Sequence, residues 1–251
     1  LFPKARTKVA RSDLPATALL GLIWMAVPFL LFPIAQQWID SSLAGMLNGG
    51  VPIFATLIAV IVSRRSPGAL QVTGIALGFL GVVVVGLPYL GGSNATALGV
   101  VLVLLACICY GAAINVAVPL QRRYGALPVL LRTQLFAMGF TLVPALISLP
   151  GSTFSAGSAA SIIPLGALGT GLAFVTMTTL VGRVGPSRGS VTIYFVPVVA
   201  ITLGAIIRSE SIEVISLIGT AMVLLGAFLA SRQEAPAGIE ASEPPHDVTT
   251  R

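Results

Sequence analysis

The segment NGGVPIFATLIAVIVSRRSP, residues 48–67, places a proline, Pro52, inside an apolar run that ends on two arginines. A proline inside a helix removes one backbone hydrogen bond and clashes with the preceding turn, at a cost of roughly 3 kcal/mol in water. A second segment, IYFVPVVAITLGAIIRSES at 193–211, repeats the pattern around Pro197. Two prolines in matching places call for a shared cause.

The composition around these segments is that of a membrane protein. Of the 251 residues, 9% are charged and 56% are hydrophobic, whereas about 25% of residues are charged in an ordinary soluble domain. The mean hydropathy is +0.99, and the apolar residues come in blocks of about 20, the length that a helix needs to cross a bilayer. The sequence therefore predicts an all-α fold, a polytopic membrane helix bundle.

Eight membrane spans are predicted, separated by short links rich in Gly, Pro, Ser and Asn, which end helices. After Arg232 the composition becomes polar, and residues 233–251 are expected to form a disordered cytoplasmic tail. The predicted spans are 15–37, 42–63, 69–89, 97–119, 128–149, 160–182, 187–207 and 212–231.

The 14 basic residues orient the chain. Eleven of them lie before the first span or beside alternate spans, and positive residues collect on the cytoplasmic side of short loops. The other set of links carries no Lys or Arg except Arg208, which has Glu210 and Glu213 as neighbours. Both chain ends are therefore expected to be cytoplasmic, in a multi-pass protein of the inner or plasma membrane. With no basic stripe or aromatic platform, nucleic acid is not an expected partner. The basic residues that indicate this orientation are Lys4, Arg6, Lys8, Arg11, Arg64, Arg65, Arg122, Arg123, Arg183, Arg188 and Arg232.

The sequence also repeats itself at a shift of 145 residues, without a gap over roughly 65 positions. An ungapped register that includes glycine and proline is evidence of a duplication. The shift carries Pro52 onto Pro197, and it also pairs Leu20 with Leu165, Gly21 with Gly166, Phe29 with Phe174, Ser42 with Ser187, Val51 with Val196, Ser66 with Ser211, Gly74 with Gly219, Leu80 with Leu225 and Gly81 with Gly226.

The repeat predicts the domain organisation. Residues 1–90 hold three spans of a partial first repeat and residues 97–232 hold five spans of the second, so we expect two further helices before Leu1. Because five is odd, the second copy enters the membrane from the opposite side, as in many secondary transporters with a substrate site near the midplane. Pro52 and Pro197 are then equivalent hinges beside a cavity, or kinks that only improve packing.

Both proline segments resemble the closing part of an EamA-type repeat in the drug/metabolite transporter superfamily. The shared pattern is a small-residue helix with a mid-span proline, a short charged link that often holds Glu, and a helix with GxxLxxxG-like spacing. Glu210 matches the linking acid in the second copy, whereas Arg65 stands at that place in the first. The resemblance covers nearly all of 15–231 and implies ten helices in two inverted five-helix repeats, eight of them present here.

Charged groups that could couple transport to an ion are scarce. No Asp or Glu occurs between Asp40 and Glu210, so a relay of buried carboxylates has nothing to use there. Asp40 and Glu210 themselves are expected to be solvated at an outer helix end and an outer link. This pattern favours facilitated diffusion, exchange, or coupling through the helices expected before Leu1.

Polar and aromatic side chains within the spans are few, so they are the candidates for a substrate site. Arg132 could bind an anionic group, or it could snorkel to the cytoplasmic end. Interhelical hydrogen bonding or core packing is an alternative role for the others. As a group they indicate a mildly polar, largely apolar pocket for a small, amino-acid-like or drug-like solute. The candidates are Trp24, Asn48, Tyr110, Asn115, Arg132, Gln134 and Tyr194.

Other function classes find less support. No catalytic triad, metal-protease motif, phosphate-binding loop or in-membrane carboxylate pair occurs, so we expect no enzyme and no cofactor or metal. Cys107 and Cys109 lack companion ligands and are expected to be buried apolar residues. A channel and a non-transporting structural subunit remain as alternatives. Two small-xxx-small pairs, at 45/49 and 74/78, predict close helix packing or a homodimer in the lipid bilayer.

Overall fold

The computed structural model describes residues 9–64, 66–89, 94–151, 153–177 and 195–232. Within these ranges the chain is an all-α polytopic bundle of eight helices without a strand. Seven of the helices are long and apolar enough to cross a membrane, and α7 has 14 described residues. The helices are α1 Arg11–Ala35, α2 Ser41–Ser63, α3 Ala69–Gly86, α4 Thr96–Tyr124, α5 Ala126–Gly151, α6 Ala156–Met177, α7 Phe195–Arg208 and α8 Val214–Ser231.

Each predicted span corresponds to one of these helices, so the helix count predicted for this part of the chain is confirmed. Most predicted boundaries agree to within about a turn, because Gly, Pro and Ser in the links end the helices where the pattern places them. The largest difference is at the end of α4, which continues to Tyr124, and the predicted end of the sixth span lies outside the described residues. The predicted start of the seventh span, Tyr194 and the tail at 233–251 lie outside the described residues.

Consecutive helices reverse direction, and the bundle therefore has a basic end and a far end. At the basic end, the start of α1 meets the end of α4, where Tyr124 donates a 2.6 Å hydrogen bond to Asp13 and Arg123 lies 3.5 Å from the same carboxylate. Arg11, Arg64, Arg122 and Arg232 lie at this end too. The far end comprises the links after α1, α3, α5 and α7.

The largest interface joins α3 and α8, which run antiparallel. Four pairs follow one another along it: Gly74 with Ala230, Gly78 with Gly226, Gly81 with Val223, and Val85 with Gly219. Because these glycines have no side chain, the two backbones touch. A Cβ on Gly81 would lie only 2.6 Å from the backbone nitrogen of Val223.

A second antiparallel pair is formed by α7 and the first half of α2. Ser42 lies beside Gly204, Gly45 beside Ala200 and Gly49 beside Pro197. The second half of α2 packs against α4 and α8. The four glycines of the two small-xxx-small pairs therefore all face other helices of the same chain, which confirms their close packing and leaves the homodimer a prediction.

Repeat-equivalent positions share backbone features beyond the sequence register. A widened π-type turn occupies Gly21–Ala26 in α1 and Leu165–Leu172 in α6, and a shift of 145 carries the first segment into the second. Two residues outside glycine adopt positive φ among the described ranges, Arg64 at 51° and Ser209 at 54°. They are also 145 positions apart, so each copy leaves its proline-containing helix by a similar turn.

Pro52 does not interrupt the middle of a regular helix. Gly49 and Gly50 form a tight turn within α2, and a new helical segment begins at Val51 with Pro52 as its second residue. The first turn of a helix has no partner for its N–H groups, so proline costs little there. The glycine turn explains how an apolar membrane span accommodates the proline.

Candidate functional site

The crossing of α2 and α7 brings the two repeat prolines to the same region of the bundle. Pro197 is buried and packs on Gly49, next to the turn that precedes Pro52. A Cβ on Gly49 would lie 2.7 Å from the Pro197 ring, so the contact requires glycine. The hinge role of the two prolines stays a prediction.

Asn48 lies at this crossing, and its side-chain oxygen is one of two buried side-chain polar atoms among the described residues that have no hydrogen-bond partner. Asn48 Oδ1 is buried without a hydrogen-bond partner. The backbone carbonyl of Asn48 also faces a residue without an N–H, since Pro52 is four positions on. Buried polar atoms are usually paired, so Asn48 offers acceptors that a solute with an N–H or O–H group could use.

The face of α4 that lies along α2 carries two of the predicted site residues. Asn115 donates 2.9 Å hydrogen bonds from Nδ2 to the carbonyls of Ala55 and Gly111, and Tyr110 stacks on Phe32 of α1, with ring centroids 6.2 Å apart. Both side chains therefore already have partners within the bundle. Packing between helices accounts for them as well as contact with a solute does.

Trp24 lies in the π-type turn of α1 and meets Phe174 of α6 edge to face, at 6.0 Å between ring centroids. This predicted site residue thus has an aromatic partner that sequence reasoning did not name. Close by, Gly21 packs on the backbone of α5 at Thr133. Thr133 Oγ1 is the second buried atom without a hydrogen-bond partner, and π-type turns often occur at functional sites.

The two candidates on α5 are half-buried. Arg132 donates a 3.0 Å hydrogen bond to the carbonyl of Pro128, one turn nearer the basic end of the same helix. This geometry favours the snorkelling role over an anion site at the midplane. Gln134 is half-buried on the same helix.

A cavity of about 570 Å³ opens at the far end, where α1 ends and α2, α4 and α7 have their far-end termini. Its wall is mostly polar, and Asp40 is exposed there as predicted. Sequence reasoning did not predict this cavity, because its wall comes from three segments distant in the chain. The lining residues are Gln36, Gln37, Trp38, Ile39, Asp40, Ser41, Thr96 and Arg208.

Glu210 lies at the inner edge of this region and is not solvated, which corrects the prediction made for it. Its side chain is only 5% exposed. One carboxylate oxygen accepts from the Ser41 hydroxyl at 2.7 Å and the Ser41 N–H at 3.1 Å, and the other accepts from the Ser42 N–H at 2.9 Å. Arg208 Nε donates to the first oxygen at 3.1 Å.

The Glu210 carboxylate therefore caps the first turn of α2. The first N–H groups of a helix lack partners within it, and a negative charge there is favourable. Asp40 occupies the capping position in sequence but makes no capping hydrogen bond. Glu210, from the link between α7 and α8, replaces it and ties that link to α2.

The protonation of Glu210 follows from these contacts. Burial raises the pKa of Glu210, but the hydrogen bonds from Ser42 and Ser41 outweigh burial and lower the pKa from 4.5 to about 2. The group is therefore a carboxylate throughout the physiological range. It accepts hydrogen bonds and cannot serve as a proton carrier near neutral pH.

Local backbone geometry places this carboxylate. Ser209 has positive φ, and the Glu210 N–H returns to the carbonyl of Gly204 at 3.1 Å. The link therefore folds back over the end of α7. Because Gly204 has no side chain, Glu210 Oε2 occupies the space that a Cβ would fill.

Sequence reasoning named Glu210 as the acid of the family pattern but missed its partners. Ser41 and Ser42 follow Asp40 at a helix start, and both segments were expected at the same membrane face. Those two facts were the available signal. The pairing itself depends on how α2 packs against α7, which no local pattern contains.

The profile of the family described as "EamA-like transporter family" matches the sequence twice, over residues 1–87 and 97–232. Similar proteins include an "Uncharacterized transporter" of Archaeoglobus fulgidus, 26% identical over 90% of this chain and 80% of its own length. A "Probable terminal-alkyne amino-acid exporter" of Streptantibioticus cattleyicolor is 26% identical over 96% of this chain and 79% of its own. "Uncharacterized transporter YdfC" of Bacillus subtilis is 23% identical, over 85% and 70%.

A solved structure titled "Crystal structure of protein" has a similar fold. The TM-score is 0.60 at 17% sequence identity, and the alignment covers 92% of this chain and 78% of the other. At that identity the likeness concerns the fold alone.

Proposed function

Since the chain belongs to the EamA-like transporter family, we propose that it is a permease that moves a small amino-acid-like or drug-like metabolite by alternating access. The observation that carries the proposal is the α2–α7 pair. Two helices at repeat-equivalent positions meet at Gly49 and Pro197, with the unpaired Asn48 Oδ1 beside them. At the far end, the Glu210 carboxylate binds the first turn of α2.

The proposal includes two inverted repeats, one in residues 1–90 and one in 97–232. The antiparallel contacts of α3 and α8 support it, because a shift of 145 carries the Gly74–Ala230 contact onto Val85–Gly219. A two-fold axis in the membrane plane produces that relation. The paired π-type turns and the paired positive φ values support the same symmetry.

The substrate class rests on chemistry and on one relative. Apart from Arg132, which donates to a carbonyl nearer the basic end, the membrane-embedded candidates are aromatic and amide side chains. No Asp or Glu lies between Asp40 and Glu210, so a neutral or zwitterionic solute fits better than a strongly charged one. One relative is named as a probable amino-acid exporter. We place the protein in the cell membrane, with its basic end in the cytoplasm, and assign it no catalysis.

Counterflow in proteoliposomes tests this function. Purified protein is reconstituted in vesicles loaded with an unlabelled neutral amino acid, and uptake of the same labelled amino acid is measured across a panel. Alternating access predicts saturable uptake that the internal solute accelerates, relative to protein-free vesicles. Uptake without saturation or acceleration would favour a channel, and no uptake across the panel would favour the structural subunit.

A further inference from the structure

The two links that follow the proline helices have the same backbone turn but different chemistry. Arg64 and Ser209, 145 positions apart, both adopt positive φ, which is uncommon outside glycine. After this shared turn comes Glu210 in the second copy and Arg65 in the first. Because the turns at Arg64 and Ser209 are alike, the two links differ chiefly in the side chain that follows, Arg65 or Glu210.

Two other residues that form the Glu210 site, Gly204 and Ser41, are replaced at the positions equivalent to them by the shift of 145. Ala59 stands where the second copy has Gly204, so a methyl group replaces the space that Glu210 Oε2 occupies. Pro186 stands at the equivalent of Ser41 and has neither the N–H nor the hydroxyl that binds the carboxylate. The two links therefore share the positive-φ turn, but the full set of residues that forms the Glu210 hydrogen bonds occurs only at the link after α7.

We propose that Glu210 is a positioning residue that locks α2 to α7 at the far end, and that its one-sided occurrence makes the far-end-closed state the resting state. The inference rests on the proposed transport function. It assigns a role to a contact between segments 169 residues apart, and it identifies the barrier that far-end opening must overcome.

The other contacts between α2 and α7, here called the α2–α7 seam, do not hold the two helices together as Glu210 does. Gly45 with Ala200 and Gly49 with Pro197 are apolar contacts, and lipid can replace such contacts at little cost. The carboxylate instead accepts three hydrogen bonds from α2, and hydrogen bonds to a charged acceptor are the stronger kind. Separation of α2 from α7 must break all three together.

Cysteine labelling tests the lock without requiring flux. Ile201 of α7 is half-buried against the α2 core, so Ile201→Cys reports on the seam. A membrane-impermeant maleimide is applied to right-side-out and inside-out vesicles. We expect Glu210→Gln to raise labelling from the far-end face about tenfold, equivalent to about 1.4 kcal/mol. Gly204→Ala, which displaces the carboxylate without removing it, should act in the same direction.

Two controls make the outcome decisive. Glu213→Gln removes the same charge from the same link, but Glu213 is exposed and its side chain caps nothing, so labelling should not change. Ala227→Cys lies fully buried in α8 and should stay protected in the Glu210→Gln background. The proposed role of Glu210 is wrong if Ile201→Cys is labelled no faster with Glu210→Gln than with Glu213→Gln. It is also wrong if Ala227→Cys becomes labelled in the Glu210→Gln background.

The labelling result separates this inference from the transport proposal. Faster labelling without any counterflow would leave the lock standing and remove the transport function. Counterflow with unchanged labelling would do the reverse. Labelling from inside-out rather than right-side-out vesicles would reverse the proposed membrane orientation and preserve the lock.

Discussion

The α3–α8 seam and the α2–α7 seam each join helices at equivalent positions of the two proposed repeats, but they are built differently. In the first, glycines on both helices let backbone meet backbone along the whole interface. In the second, glycines of α2 meet side-chain carbons of Ala200 and Pro197, and a single carboxylate closes the far end. The first seam is the largest interface among the described helices, whereas the second is held by small apolar contacts and one carboxylate. We infer that the first seam is permanent and the second is able to open.

The largest effect is expected from Gly81→Leu in the α3–α8 seam. The new side chain would meet the backbone of α8 at Val223 and Gly219, and overpacking costs about 1–3 kcal/mol or more. The melting temperature in detergent should fall by about 10 °C. Gly86→Leu on the same helix is the control, because nothing lies within 4 Å of its Cβ position. Equal melting temperatures would show that the seam is not tightly packed.

Pro197→Ala should have an intermediate effect, on flux rather than on stability. The substitution removes the ring that packs on Gly49 and gives position 197 a backbone N–H, so both features that a proline hinge would use are lost. Counterflow should fall roughly tenfold, as for hinge substitutions, with the melting temperature unchanged. Pro144→Ala, within α5 and exposed, is the matched proline control. Unchanged flux in Pro197→Ala would remove the hinge.

The smallest effect is expected from pH. Because the Glu210 pKa is lowered from 4.5 to about 2, its stabilising contribution is complete above the usual value and is lost only as pH falls toward 2. Labelling of Ile201→Cys, normalised to a free thiol, should therefore be the same at pH 6 and pH 8. A rise at pH 6 would mean that another titrating group controls the seam.

Fold and site differed in how far the sequence predicted them. Eight spans and the glycine contacts followed from hydropathy and spacing, since a bilayer requires helices of fixed length and small residues where they touch. The predicted site residues remain candidates, and Asn115 and Tyr110 have partners in the bundle that no spacing indicated. Glu210 was expected in water and is instead buried against α2, because its environment belongs to a helix 169 positions away.

The sequence by itself determined that this protein is a helical membrane bundle, where its spans lie, and which positions match each other at a shift of 145. Those properties are periodic and local, so hydrophobicity and register contain them. Only the tertiary structure decided which equivalent helices meet, that one pair touches through backbone and the other through side chains, and that one acid caps a distant helix. The physical reason is that contacts and burial depend on packing in three dimensions, where residues far apart in the chain become neighbours.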